Sequence, residues 1–149
     1  MKAPLSDTLV ICDMDNTLLT AKAGIPACNR AVIQLYTSMG GLFTVATGRP
    51  PESIRAALGD IKLSLPAISC NGALLYDFST DSVLHRSTLN REQATTAILD
   101  ILNKFPRMGV EVMAGNGEMY VIHANEVTHA HQVDEQLGSI ACPVESVPD

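Results

Sequence analysis

Two aspartates stand two residues apart directly after the first apolar run of the chain. Residues 8–12 read TLVIC, and residues 13–17 read DMDNT. Side chains two positions apart on an extended chain face the same way, so Asp13 and Asp15 can converge on one reacting atom. Their carboxylates would repel each other without a cation, and Mg²⁺ binds through one or two carboxylates plus a phosphate. The pair predicts a Mg²⁺ site, although D-x-D alone is also typical of a turn or a helix cap.

A second candidate site follows the next apolar run, residues 42–46, and reads Thr47-Gly48-Arg49. A hydroxyl beside a backbone N–H that glycine leaves exposed forms a small anion cradle of the kind that binds phosphate. The carboxyl ends of parallel strands meet at one edge of a sheet, so we expect this cradle near Asp13. By itself the tripeptide is common and more often a plain strand-to-helix turn.

The first half of the chain alternates short apolar runs with amphipathic stretches, which is the pattern of βαβ units in a parallel sheet. The run at 8–12 is continuous enough to predict a strand that is buried on both faces. Strands are predicted at 8–12, 42–46, 66–69 and 72–76, and helices are predicted at 26–39 and 50–58. The first helix carries apolar residues at 31, 32, 35, 36 and 39, and the second presents Ile54, Ala57 and Leu58 on one face.

The pattern changes after Asp77 to an antiparallel α+β arrangement. Residues 77–81 have the composition of a linker or turn, and Asn90 is a good N-cap for a helix that ends at Lys104. Asn116-Gly117 between two apolar runs is a strong hairpin signal. The predicted elements are a helix at 90–104, strands at 110–113 and 119–122, and a weak helix at 125–137. The first helix should bury Ala94, Ala97, Ile98, Ile101 and Leu102.

Three motifs in order resemble the haloacid dehalogenase superfamily of phosphatases, and its Cof-type branch most closely. They are D-x-D-x-T at residues 13–17, A-T-G-R at 46–49 and N-G-A at 71–73. The resemblance implies an α/β fold with a Rossmann-like parallel sheet core over residues 1–78, incomplete in this chain. The start of an α+β cap domain would then occupy residues 79–149.

The resemblance also implies a mechanism and a set of site residues. Asp13 would attack phosphorus as the nucleophile, and Asp15 would act as general acid and base. Mg²⁺ would be held by the Asp13 carboxylate and the Asp15 main-chain carbonyl. Phosphate or substrate contacts would come from Asn16, Thr17, Thr47, Gly48, Arg49 and Asn71.

The family also uses a lysine and a late G-D-G-x-N-D motif, and residues 1–149 contain neither in a matching place; Lys62 is the nearest lysine by position. We therefore expect an N-terminal part of a longer phosphatase, whose open sheet edge would favour self-association or marginal stability. Two alternatives stay open. One is an inactive fragment or degenerate homologue that acts as a binding or interaction module. The other is phosphoryl transfer of the phosphomannomutase kind.

Composition narrows the class of partner. The 149 residues carry a formal net charge of −6, with 46% hydrophobic and 17% charged residues. This is a folded chain without the basic surplus that binds nucleic acid or an anionic membrane. A small-molecule phosphate ester suits it better as substrate. The four cysteines are widely spaced and predict reduced, mostly buried thiols in a cytoplasmic protein.

Overall fold

The computed structural model describes residues 5–20 and 24–147, and its contacts divide the chain into two units, Met1–His85 and Arg86–Asp149. The first unit contains β1 (Leu9–Cys12), α1 (Ala27–Ser38), β2 (Leu42–Val45), α2 (Pro51–Leu58), β3 (Ala67–Ser69), β4 (Leu74–Asp77) and β5 (Ser82–Arg86), whose last residue begins the second unit. The second contains α3 (Arg91–Lys104), β6 (Val110–Met113), β7 (Met119–His123), α4 (Glu126–Glu135) and β8 (Ser139–Ala141).

Parallel pairing organises the start of the first unit, as the alternating pattern predicts. β1 pairs with β2 in parallel, from Leu9 opposite Leu42 to Cys12 opposite Val45. A parallel bridge between Ala46 and Ile68 extends this parallel pairing to β3. β4 then turns back antiparallel to β3, and β5 lies beside β4. The chain therefore has an α/β fold whose parallel strands end together near the two predicted motifs.

The hydrophobic core of the first unit lies between the helices and these strands. α2 buries Ile54 and Leu58 and half-buries Ala57, which confirms the apolar face predicted for that helix. Proline begins both helices, since Pro26 caps α1 and Pro51 is the first residue of α2. The core residues are Met14, Leu18, Leu19, Ile25, Ile33, Phe43, Val45, Ile54, Leu58, Ile61 and Ala67.

Burial on both faces is wrong for β1. Leu9, Val10 and Ile11 are 46%, 40% and 51% exposed. The reason is topological, because within residues 5–20 and 24–147 β1 pairs with β2 alone and so forms a sheet edge. The helix α1 also differs from its apolar pattern, since it buries Ile33 while Val32 and Leu35 face solvent. A continuous apolar run indicates a strand, but burial requires neighbours on each side.

The segment at residues 77–81 is the turn of a hairpin. The Asp77 carboxylate accepts a 2.8 Å hydrogen bond from the Ser79 N–H, and Asp81 adopts a left-handed φ of 54°. The strand that follows, β5, is not among the predicted elements, because its outer half is exposed and its residues show no clear apolar–polar alternation. Of the two predictions for residues 77–81, a linker or a turn, the turn is therefore correct.

The second unit confirms the hairpin and corrects the pairing after it. β6 and β7 are antiparallel, and the Ala114 N–H donates to the Glu118 carbonyl across the Asn116-Gly117 turn. β8 pairs in parallel with β7, so the expectation of a wholly antiparallel arrangement is wrong. The helix α4 connects β7 to β8, and a helical crossover returns the chain in the same direction.

The helix α3 begins at its predicted cap and is less buried than predicted. The Asn90 side chain accepts from the N–H groups of Glu92 and Gln93. Of the five predicted core positions, Ala94, Ile98 and Leu102 are half-buried, whereas Ala97 and Ile101 are exposed. The apolar cluster of the second unit is small, with Ala114, Tyr120 and Val147 at its centre and Val112, Ile122 and Cys142 packed against it.

All four cysteines are free thiols, but three of them are only half-buried and Cys28 is exposed, so the expectation of mostly buried thiols is wrong. None of the helices in the part of the chain that the structure describes has the length and apolar character needed to cross a membrane.

Candidate active site

The D-x-D segment forms a tight turn immediately after β1. Asp13 is extended, and the Leu19 N–H closes the turn by donating to the Met14 carbonyl at 2.8 Å. Met14 is fully buried and Leu18 is 5% exposed, so both side chains anchor the turn in the core. Asn16 adopts a left-handed φ of 57°, which asparagine tolerates better than most residues. Burying one side of the turn leaves its polar side at the surface.

Asp13 lies at this surface with one carboxylate oxygen engaged. The Thr17 hydroxyl donates to Asp13 Oδ2 at 2.8 Å, so the fifth residue of the motif orients the first. The Cys12 thiol donates to the Asp13 carbonyl oxygen at 3.1 Å. Burial, followed by the negative charge of Asp13, raises the pKa of Cys12 above its ordinary value. The thiol beside the proposed nucleophile is therefore held in its protonated form at neutral pH.

The turn after β2 lies next to Asp13 because the two strands are in parallel register. The Ala46 N–H donates to the Cys12 carbonyl at 2.9 Å, which joins the two strand ends. Thr47 is buried, and its hydroxyl oxygen accepts from the Arg49 N–H at 3.2 Å. A hydroxyl that accepts one bond still has its own hydrogen to donate, so Thr47 is suited to hold a phosphoryl oxygen.

Arg49 makes the strongest polar contact of the site, and it makes it to Asp15. Its Nε donates to both Asp15 oxygens, at 3.2 Å to Oδ1 and 2.9 Å to Oδ2, and its Nη2 donates to Oδ1 at 2.8 Å. The Arg49 side chain is 13% exposed and that of Asp15 is 49% exposed. Bidentate pairs of arginine and carboxylate are charge-assisted and geometrically specific. Arg49 is predicted to contact phosphate or substrate, whereas in the structure its guanidinium pairs with the second aspartate of the motif.

The third predicted motif closes the site from β3. The Asn71 N–H donates to the Thr47 carbonyl at 3.1 Å, and Asn71 has a left-handed φ of 55°. A Cβ built on Gly48 would lie 3.2 Å from both terminal atoms of the Asn71 side chain. This close approach explains why glycine suits position 48. Asn71 thus packs against the cradle and is not remote from it.

Two serines that were not predicted as site residues belong to the same cluster. The Ser53 hydroxyl accepts from Arg49 Nη1 at 2.7 Å, and the Ser69 hydroxyl donates to the Arg49 carbonyl at 2.7 Å. Ser53 is 1% exposed and Ser69 is fully buried. The only signal in the sequence is the four-residue spacing from Arg49 to Ser53 and the place of Ser69 at a strand end.

The two aspartates could supply the protein's share of a Mg²⁺ site. Mg²⁺ keeps several waters and takes one or two carboxylates together with substrate phosphate, so the Asp13 carboxylate fits this requirement. Asp15, whose carboxylate is paired with Arg49, would add its main-chain carbonyl oxygen. Within residues 5–20 and 24–147, no cluster of three or more His, Cys, Asp or Glu side chains could hold a metal. Lys62 lines a shallow cavity of about 350 Å³ beside Gln34 and Thr37, and Asp13 is not among the residues that line it.

Comparison with known proteins places these residues in a family context. Residues 10–141 match the family model of haloacid dehalogenase-like hydrolases. A 5-amino-6-(5-phospho-D-ribitylamino)uracil phosphatase from Bacillus subtilis (strain 168) is 37% identical over 93 residues, which are 62% of this chain and 31% of that protein.

Solved structures agree on the fold. A HAD/COF-like hydrolase from Plasmodium vivax superposes with a TM-score of 0.76 at 21% identity, covering 94% of this chain and 51% of that one. A sugar phosphatase of HAD subclass IIB, BT4131, superposes with a TM-score of 0.73 at 21% identity, covering 93% of this chain and 53% of that one. This chain therefore spans about a third to a half of the length of these relatives.

Proposed function

The chain belongs to the haloacid dehalogenase-like hydrolase family, and on that premise we propose that it acts as a Mg²⁺-dependent phosphatase of the Cof type on small phosphate esters. One observation carries the proposal. Hydrogen bonds join the ends of β1, β2 and β3, from Ala46 to Cys12 and from Asn71 to Thr47. They gather two carboxylates, a hydroxyl and a glycine at one sheet edge, where α/β folds bind their ligands.

In the first step Asp13 is the nucleophile. A carboxylate oxygen of Asp13 attacks phosphorus, the new O–P bond forms, and the bond from phosphorus to the ester oxygen breaks. Asp15 gives its proton to the departing alkoxide, which leaves as an alcohol. The Thr17 hydroxyl bond to Asp13 Oδ2 leaves Oδ1 as the attacking atom.

In the second step water replaces Asp13 at phosphorus. Asp15 takes a proton from the water, whose oxygen attacks phosphorus, and the O–P bond to Asp13 breaks to release inorganic phosphate. This proton replaces the one that Asp15 gave to the alkoxide, so Asp15 returns to the protonated form in which it begins the first step. The bidentate pair with Arg49 fixes the orientation of the Asp15 carboxylate. Thr47 and the Gly48 N–H hold phosphoryl oxygens in both steps, together with Asn16 and Thr17. When bound by Asp13 and Asp15, Mg²⁺ supplies positive charge against the phosphoryl oxygens.

The relatives guide the choice of substrate class. Those named above include a phosphatase of a phosphorylated ribityl compound and a sugar phosphatase. We propose a sugar phosphate or a phosphorylated cofactor as substrate. A cytoplasmic location and the division into a core at 1–78 and a cap at 79–149 belong to the same proposal, supported by the free thiols and the family match.

The direct test is hydrolysis of p-nitrophenyl phosphate with and without Mg²⁺. Asp13→Asn should lower turnover by roughly 10⁴-fold or more, as expected when a nucleophile is lost. Asp100→Asn, an exposed aspartate on α3, is the matched control and should leave turnover unchanged. Turnover that survives Asp13→Asn contradicts the mechanism.

A second candidate is a phosphate-binding module without turnover, favoured by the buried Thr47 hydroxyl beside Gly48, since such a cradle binds an anion without any reaction. It predicts phosphate binding by calorimetry with no release of product. Phosphoryl transfer of the phosphomannomutase kind predicts a changed sugar phosphate with no inorganic phosphate released. Product analysis separates all three functions.

Self-association through β1 is part of the proposal. Leu9, Val10 and Ile11 are exposed along a sheet edge, which is a template for pairing with another strand. Sedimentation velocity over a range of concentrations should show association that Ile11→Lys weakens. Leu99→Lys is the control, because Leu99 is 48% exposed on α3 and comparable to Ile11 at 51%. Equal sedimentation of the two variants argues against β1 as the contact.

A further inference from the structure

Ser53 belongs to none of the three motifs, yet it is one of the most deeply buried polar residues of the first unit. It lies in the first turn of α2 and is 1% exposed. Its hydroxyl oxygen accepts from Arg49 Nη1 at 2.7 Å. Burying a hydroxyl is unfavourable unless it is hydrogen-bonded, so the contact with Arg49 accounts for the tolerance of serine in this core.

The guanidinium of Arg49 is therefore fixed on two sides. Nη1 points to Ser53, while Nε and Nη2 point to the two oxygens of Asp15. The Arg49 backbone is fixed as well, because its N–H donates to Thr47 and its carbonyl accepts from Ser69. A planar guanidinium with contacts at both ends has one orientation that satisfies all of them.

Asp15 has less support of its own. Its side chain is 49% exposed, so burial does not select one rotamer, and water competes for its oxygens. The orientation of the carboxylate then depends on Arg49, and that of Arg49 depends on Ser53. Burial gives the direction of this dependence. Ser53 is 1% exposed, the Arg49 side chain is 13% exposed and the Asp15 side chain is 49% exposed, so packing holds each of these groups less firmly than the one before it.

We propose that Ser53 is a positioning residue, which fixes the guanidinium plane of Arg49 and through it the carboxylate of Asp15. This inference rests on the proposed function, because only there does the placement of Asp15 affect a reaction. Arg49 is a positioning residue in the same sense. Ser53 acts through hydrogen-bond geometry and contacts neither the substrate nor phosphorus.

The first test needs no activity and uses the whole chain. The Arg49 Nε–H signal is identified in a ¹⁵N spectrum by its loss in Arg49→Lys, and its rate of exchange with solvent deuterium is measured. Ser53→Ala should speed this exchange roughly tenfold, which corresponds to a bond of ~1.4 kcal/mol. Thr44→Val is the matched control, because it also removes a buried hydroxyl, one that donates to the carbonyls of Leu65 and Pro66. Equal exchange rates in wild type and Ser53→Ala overturn the proposal.

The second test separates positioning from general loss of structure. An alkyl phosphate needs a proton for its leaving group, whereas p-nitrophenol leaves with little help. Ser53→Ala should lower kcat for an alkyl phosphate at least about tenfold more than for p-nitrophenyl phosphate, with KM little changed. Thr44→Val should lower both equally, if at all. Equal losses for both substrates in Ser53→Ala contradict a positioning role.

The two tests fail separately. If wild type hydrolyses no phosphate ester, the proposed phosphatase function fails, and the exchange measurement still decides whether Ser53 orients Arg49. If wild type is active and Asp13→Asn is inactive, but Ser53→Ala exchanges and reacts like wild type, the phosphatase proposal stands and the role of Ser53 is refuted.

Discussion

Met14 anchors the proposed catalytic turn, and its truncation tests whether burial on one side of the turn holds the aspartates on the other. The side chain is 0% exposed and belongs to the core of the first unit. It lies between Asp13 and Asp15 in the sequence, so any change in its packing acts on both. Met14→Ala removes the anchor and leaves every polar group of the site in place.

The magnitude follows from complete burial. Truncating a fully buried methionine to alanine costs ~2–5 kcal/mol, from lost transfer free energy plus the cavity that remains. Taking about 3 kcal/mol, and 4–8 °C per kcal/mol for a unit of this size, Tm should fall by roughly 12–24 °C. Met14→Leu keeps most of the volume and should cost less than about 1.5 kcal/mol.

Thermal and urea unfolding by circular dichroism measures this cost, and Met39→Ala provides the control. Met39 follows α1 and is 40% exposed, so the same truncation there should cost about 0.5 kcal/mol or less. Phosphatase turnover of Met14→Ala, measured well below its Tm, should fall more than that of Met39→Ala. If the two truncations cost the same, Met14 is not the anchor of the turn and the reasoning is refuted.

Two further predictions concern ionisation. Because the pKa of Cys12 is raised by burial and then by the charge of Asp13, iodoacetamide at pH 8 should alkylate Cys12 more slowly than exposed Cys28. Asp13→Asn should make the alkylation of Cys12 faster, as measured by peptide mass spectrometry. An unchanged alkylation rate contradicts the assigned cause. The hydrogen bond from Tyr76 and then the charge of Arg55 lower the pKa of Asp81 in the folded protein. The ionised Asp81 therefore stabilises the fold above its unfolded-state pKa of about 3.9, and this stabilisation is lost as pH falls through its folded-state pKa. Asp81→Asn should therefore lower the urea midpoint at pH 7 and leave it unchanged near pH 2; an equal decrease at both pH values would argue against this linkage.

Local signals in the sequence predicted most elements correctly. Pro26 and Asn90 mark helix starts because one fixes φ and the other accepts from free N–H groups, and both effects act within a few residues. The hairpin at Asn116-Gly117 has the same local origin. The errors concern burial and pairing direction. Whether Ile11 is covered depends on strands distant in the sequence, and the parallel pairing of β8 depends on the path of a whole helix.

For the candidate site, the sequence by itself determined which chemical groups are available and that they follow neighbouring strands. Two carboxylates at 13 and 15 and a threonine at 47 were identified from their place after apolar runs, and an asparagine at 71 was identified from the family resemblance. Only the tertiary structure decided which groups contact one another. It pairs Arg49 with Asp15, 34 residues apart, and supports Arg49 with the buried Ser53. Spacing along a chain cannot show this, because side-chain hydrogen bonds form where packing brings the groups together.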